Sequence, residues 1–93
     1  MIINRVDNSS SGFFEALEDN QEAGKLTYQW NDPKTMTLIS TVANPELKGL
    51  GVGKKLVMAA VEFARENDVK LIVQCPYAKV VFERNPEIRD VLK

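Results

Sequence analysis

Lys48-Gly49-Leu50-Gly51-Val52-Gly53-Lys54-Lys55 sets glycines at alternate positions among three lysines and leads straight into an apolar, helix-periodic segment. Glycine has no Cβ, so the backbone can turn tightly and its N–H groups can converge on one point. The first turn of a helix adds unpaired donors and the positive end of the helix dipole. A turn of this kind in that place makes a cradle for phosphate. Lys54 and Lys55 fall in the first helical turn, where a cation is electrostatically unfavourable. A bound polyanion accounts for them, and Lys48 adds a further positive charge on the near side of the turn.

The spacing excludes two familiar phosphate sites. A P-loop places four residues between its first glycine and the Gly-Lys pair, then needs Ser or Thr for magnesium. Here Lys48 stands in place of that glycine and Lys55 in place of the hydroxyl. A dinucleotide fingerprint needs its third glycine three residues after the second, where this chain has Lys54. Taken alone, the glycines also fit a plain strand-to-helix turn.

Composition narrows the chemistry further. The chain has 93 residues, enough for one domain spanning 1–93, near the lower limit for a core without staples. A net charge of −1 argues against non-specific nucleic-acid binding. No apolar run is long enough to span a membrane and no signal segment opens the sequence, so no membrane partner is expected. The single cysteine, Cys75, rules out an internal disulfide and fits a reducing cytoplasm. Histidine is absent, which excludes Ser-His-Asp and Cys-His catalysis, and no metal site is expected.

The elements that position the turn follow from periodicity. Ile2 to Val6 is β-rich, Asn8 to Gly12 is turn chemistry, and Phe13 to Leu17 reads as a strand. Glu18 to Gly24 reads as a polar connection. Lys25 to Trp30 alternates strictly, with Leu26, Tyr28 and Trp30 on one face. After a turn at Asn31–Lys34, Met36 to Val42 forms the next strand of an antiparallel meander. From Val52 a helical face carrying Leu56, Ala60 and Phe63, with Ala59 and Ala64 beside them, runs to about Asn67. Asn67 is read as its left-handed cap. Leu71-Ile72-Val73 reads as a parallel strand covered on both faces.

Strand, helix, strand makes a βαβ unit, with the glycine turn at the carboxyl end of its first strand, where open sheets bind ligands. Pro76 suits a first helical position, so Ala78 to Arg84 reads as a second helix with Cys75 at its N-cap. Two readings of Cys75 stand: a thiolate stabilised by the helix N-terminus, or a small buried residue at a strand end. Pro86 to Leu92 reads as a short terminal helix whose Ile88, Val91 and Leu92 pack back. The fold class expected is α+β, a mixed and mainly antiparallel sheet with one parallel βαβ pair and helices packed on it.

Over about residues 17–92 the chain resembles the GNAT-type N-acetyltransferases, and more narrowly their minimal single-domain branch. The resemblance rests on Asn44-Pro45-Glu46-Leu47-Lys48-Gly49-Leu50-Gly51-Val52-Gly53, on Ala64-Arg65-Glu66-Asn67, on Cys75-Pro76-Tyr77 and on Asn85-Pro86-Glu87. It implies a turn, Lys48 through Lys54, that binds the pyrophosphate of coenzyme A, with the amides of Leu50 to Gly53 as main donors. It implies a pantetheine arm along Val42 and Ala43 and an acetyl-CoA thioester close to Cys75 and Tyr77. Cys75 would handle the acyl group or a proton, and Tyr77 would be an acid for the departing thiolate, or a ring that only packs at the helix start.

The chain departs from that family at three positions. Lys48 replaces arginine or glutamine and loses the bidentate fork. Ser40 stands where the small branch has histidine, which puts any mechanism relying on that imidazole in question. Asn44 replaces a commoner proline. The chain also lacks the extra elements that wall the amine pocket of larger relatives, so an open acceptor side is expected.

Glu15, Glu18 and Glu46 are candidate bases by chain order alone, each otherwise a solvated surface charge. Two functions follow. One is acetyl transfer from acetyl-CoA to an unidentified amine, a small molecule or a protein. The other is a coenzyme A or acyl-CoA binding module without efficient turnover, acting through a protein partner. A small interaction domain with no ligand would leave the turn and its lysines unexplained.

Overall fold

The computed structural model describes residues 1–47 and 49–93, so the expectations placed on Lys48 lie outside the described residues. Five strands, β1 Ile2–Asp7, β2 Ser11–Glu18, β3 Gln21–Asp32, β4 Thr35–Ala43 and β5 Lys70–Val73, form one sheet in the order β1-β2-β3-β4-β5. Neighbours among the first four are antiparallel, while β4 and β5 are parallel. Helix α1, Val52–Asn67, links β4 to β5, and α2, Pro76–Arg84, follows β5. A 3-10 turn at Pro45–Leu47 precedes the glycines and a 3-10 helix, Pro86–Val91, packs Ile88 and Val91 into the core. The expected α+β architecture is the observed one.

Period-two alternation sends Phe14, Ala16, Leu26, Tyr28, Met36, Leu38 and Leu71 to one buried face. Over β2, β3 and β4 lies α1, which buries Val52, Leu56, Val57, Ala60, Val61 and Ala64. Leu56, Ala60 and Ala64 recur every four residues, as one face of a helix requires. Each fully buried leucine or valine stabilises the fold by about 1.5–3 kcal/mol.

Three local expectations are corrected. Glu18 to Gly24 is not a polar connection. Asp19 and Asn20, both at positive φ (50° and 66°), make a two-residue hairpin turn, and β3 starts at Gln21. The left-handed residue ending α1 is Asp68 (φ 53°) rather than Asn67, whose side chain instead donates to the Phe63 carbonyl at 2.9 Å. The β5 strand is not covered on both faces. Leu71 is buried, but Ile72, on the opposite face, is 39% exposed.

Asp7 fastens β1 to the rest of the sheet. Its Oδ2 accepts from Tyr28 OH at 2.6 Å and Trp30 Nε1 at 2.7 Å, and lies 3.1 Å from Arg5 Nη1. Arg5 also donates to Tyr28 OH at 3.0 Å and lies 4.3 Å over the Phe63 ring. The hydrogen bond from Tyr28, foremost, holds the Asp7 carboxyl below its usual range in spite of partial desolvation. Burial, then the bond to Asp7, pushes the Tyr28 phenol up to about 12.

These shifts fix the sign of the pH dependence. The Asp7 pKa is depressed in the fold, so its contribution is present above the unfolded carboxylate value of about 4 and is lost as pH falls through the folded value. The Tyr28 pKa is raised, so its contribution is complete below about 10 and is lost as pH rises toward the folded value. Asp7→Asn should therefore show a shallower fall in Tm than the parent protein as pH drops below about 4. Thermal melts by circular dichroism read this out, and equal slopes would show that Asp7 carries none of the acid sensitivity.

Candidate functional site

The site begins with a bulge. Thr27 pairs with Ser40 but Tyr28 pairs with Leu38, so Ile39 is an extra residue in β4. The parallel pairing of β4 with β5 covers only Thr35–Leu38 against Lys70–Val73. Beyond it, the amides of Gln74 and Cys75 both donate to the Leu38 carbonyl at 3.0 Å, and the chain turns away into α2. The far half of β4 stays paired with β3 alone on its other side. A cleft of about 420 Å³ opens there, lined among others by Thr41, Ala43, Leu47, Gly49, Gly51 and Tyr77.

Two helix N-termini border this cleft. At α1, Gly51 is the N-cap in the left-handed region (φ 65°, ψ 33°), and no side chain caps the helix. Gly49 also has positive φ (87°), and a Cβ at either glycine would meet nothing within 4 Å. These two glycines are therefore required by conformation rather than by space. Gly53 differs. Its φ is not positive, and a Cβ there would sit 2.7 Å from ring atoms of Tyr77. The third glycine lets α1 and α2 approach each other, and is not part of the turn.

At α2, Pro76 is the first helical residue and Cys75 the N-cap, as expected, again with no side-chain cap. Cys75 is 2% exposed. Its Sγ lies 3.3 Å from Thr41 Oγ1 across the gap between α2 and β4. Tyr77 is 43% exposed, and its ring both rests on Gly53 and lines the cleft. Asn44 shapes the entrance to the turn: its N–H donates to the Ala23 carbonyl at 2.7 Å, and its Oδ1 accepts from the Glu46 amide at 2.9 Å.

The expected residues divide between the two sides of the sheet. Ala43, Gly49, Gly51, Val52, Gly53 and Tyr77 line the cleft. Val42 does not; its side chain is 66% exposed and lines a separate depression with Glu22, Lys25 and Thr27. Ser40 is likewise exposed. The reason is the bulge: simple alternation from Met36 and Leu38 would bring Ser40 and Val42 to the helix side, but the extra residue at Ile39 brings Thr41 and Ala43 instead.

Thr41 was absent from the expected set, and its only sequence signal is one place in a period that the bulge resets. Leu50 is 37% exposed at the turn, and Lys54 and Lys55 point instead along a groove beside β1. Glu15, Glu18 and Glu46 do not line the cleft, and Glu18 sits 3.5 Å from the N-terminal ammonium. Among the described residues no acid lines the cleft and no cluster of acids and cysteine could hold a metal.

Known proteins share this architecture. Residues 13–91 match the family of GCN5-related N-acetyltransferases. The chain is 29% identical over 80 residues to Protein NATD1 of Xenopus tropicalis, covering 86% of this chain and 73% of that protein. It superposes on a GCN5-like protein of Staphylococcus aureus with a TM-score of 0.69 and 32% identity, covering 97% of this chain and 87% of the other. Two longer solved chains show the same fold. A ribosomal-protein-alanine N-acetyltransferase of Brucella melitensis has a TM-score of 0.69 at 16% identity; the match takes 83% of this chain and 62% of that one. A Bacillus anthracis protein solved with acetyl coenzyme A has a TM-score of 0.63 at 20% identity; the match takes 86% of this chain and 49% of that one.

The contact between Gly53 and Tyr77 can be tested by a double-mutant cycle. With Tyr77 replaced by alanine, Gly53→Ala should stabilise the protein by roughly 0.5–1 kcal/mol, the ordinary helix gain. With Tyr77 present, the new methyl must displace the ring, and the gain should shrink or reverse. Equal gains in chemical denaturation of both backgrounds would mean that the ring does not rest on Gly53.

Proposed function

The chain belongs to the GCN5-related N-acetyltransferase family, and from that footing we propose that residues 1–93 act as one domain that binds acetyl-CoA and transfers its acetyl group to an amine. The observation that carries this reading is the uncapped N-terminus of α1. Its Gly49 and Gly51 hold left-handed backbone at the mouth of the cleft where β4 and β5 part. Diphosphate oxygens fit such a cradle, because the first-turn amides lack a side-chain acceptor and the helix dipole favours negative charge. Binding is assigned to Gly49 through Lys54, with Lys48 beside them. The outer edge of β4 at Val42 and Ala43 offers backbone groups to an extended arm, although the Val42 side chain faces away.

Tyr77, which lines the cleft, and Cys75, buried behind Thr41, are the residues assigned to the reacting thioester. Carbonyl carbon and amine nitrogen form a bond, the nitrogen gives up a proton to solvent, the C–S bond breaks, and the sulfur leaves as coenzyme A after taking a proton. A phenol at Tyr77 is suited to give that proton. Positioning supplies much of the acceleration in such a reaction, because both reactants are held together. The acceptor is an amine on a small molecule or a protein, and one buried free thiol suits a reducing, cytoplasmic setting.

A second reading, a coenzyme A binding module without efficient turnover, draws on a separate observation. No carboxylate lines the cleft among the described residues and the sequence has no histidine, so no ordinary base is at hand.

Calorimetric titration tests the shared part of both readings. Acetyl-CoA and coenzyme A should bind, while ATP and NAD should not. Gly51→Glu should abolish the heat of binding, because a side chain at positive φ and a negative charge would both occupy the cradle. Undiminished affinity in a folded Gly51→Glu protein would move the site elsewhere. Acetyl transfer to an amine panel then separates the two readings, and transfer unchanged in Cys75→Ala would remove the thiol from the reaction.

A further inference from the structure

We propose that Thr41 is the positioning residue for Cys75: its hydroxyl donates to Sγ and stabilises the negative charge that the sulfur carries when it attacks an electrophile. The contact is short, 3.3 Å from Oγ1 to Sγ, and joins elements that are far apart in the chain. Cys75 occupies an N-cap position without capping its own helix, so its sulfur is turned to β4 rather than to the amides of α2. Thr41 is the member of the pair that lines the cleft, while Cys75 is almost wholly buried behind its neighbours.

Hydrogen-bond chemistry sets the sign of the effect. A thiol is a weak donor and a weak acceptor, so the contact is worth little while the sulfur is neutral. When the sulfur bears charge, the hydroxyl can only be the donor, and a charge-assisted bond is roughly twice as strong as a neutral one. The pair therefore favours the reactive form of the sulfur over the resting one. The bulge at Ile39 is what delivers Thr41 to this position, since unbroken alternation would have turned it to the opposite face. In acyl transfer the same hydroxyl would support whatever charge Cys75 takes on, and that consequence rests on the function proposed above.

The test uses the full chain and iodoacetamide at one fixed pH. The S–C bond forms, iodide leaves, and the thiol proton passes to buffer. Cys75 is the only cysteine, so mass spectrometry of the intact protein reads its alkylation alone. T41V, which keeps the shape but removes the hydroxyl, should react slower by roughly tenfold. T41S should restore the rate to near that of the parent. T41V reacting at the parent rate or faster overturns the proposal, and so does T41S reacting as slowly as T41V. If T41V does not fold, T41A carries the same expectation, because a residue that merely covers the sulfur would speed alkylation on removal. Iodoacetamide needs no coenzyme A, so failed coenzyme binding would sink the proposed function and leave this comparison readable.

Discussion

One carbonyl oxygen, that of Leu38, decides where the sheet ends and the cleft begins. By accepting the amides of both Gln74 and Cys75 it closes the last rung of the parallel pair and turns the chain outward within two residues. Pro76, which has no N–H to offer a further rung and is already set for a helix, then commits the chain to α2. Had β5 continued along β4, its backbone would have filled the space that now separates Thr41 from α2. The position of Cys75, the approach of Tyr77 to Gly53 and the open edge of β4 all descend from that one termination.

The bulge at Ile39 works at the same point with a different effect. It changes which side chains of β4 face the helices, so one strand serves packing before the bulge and the cleft after it. Met36 and Leu38 lie in the core; Thr41 and Ala43 line the cleft. Two uncapped helix starts then border one space, α1 through Gly51 and α2 through Tyr77. Their dipoles point the same sign of potential into it, which suits a ligand that is anionic at one end and develops charge at the other.

Much of this was legible in the residues. The alternation of Leu26, Tyr28 and Trp30, the four-residue recurrence of Leu56, Ala60 and Ala64, and proline after Cys75 each encode a single local answer. The glycine turn was legible as a cradle, but not the division of labour within it. Gly49 and Gly51 answer to backbone angles that act locally, whereas Gly53 answers to a ring far along the chain. The Val42 side chain faces away from the cleft for a related reason. A bulge is a property of two strands in register, and Met36-Thr37-Leu38-Ile39-Ser40-Thr41-Val42 gives no sign of where its period is reset. The Asp19-Asn20 hairpin was hidden by the polar residues that continue on either side of it, and the shift of the helix cap from Asn67 to Asp68 is a one-residue matter of chain path.

The Asp7 network has a consequence for how this chain meets its own copies. The β1 strand is the last in the sheet, and its outer backbone groups are an invitation to another strand. Its face toward α1 carries Ile3, Arg5 and Asp7, and the charged pair is held by Tyr28, Trp30 and the Phe63 ring. A slip of one residue would turn Asn4 inward, strand both charges away from their partners, and leave Ile3 in water. The edge is thus locked in a single register by charges that point inward, a form of protection against self-templated aggregation written into six residues.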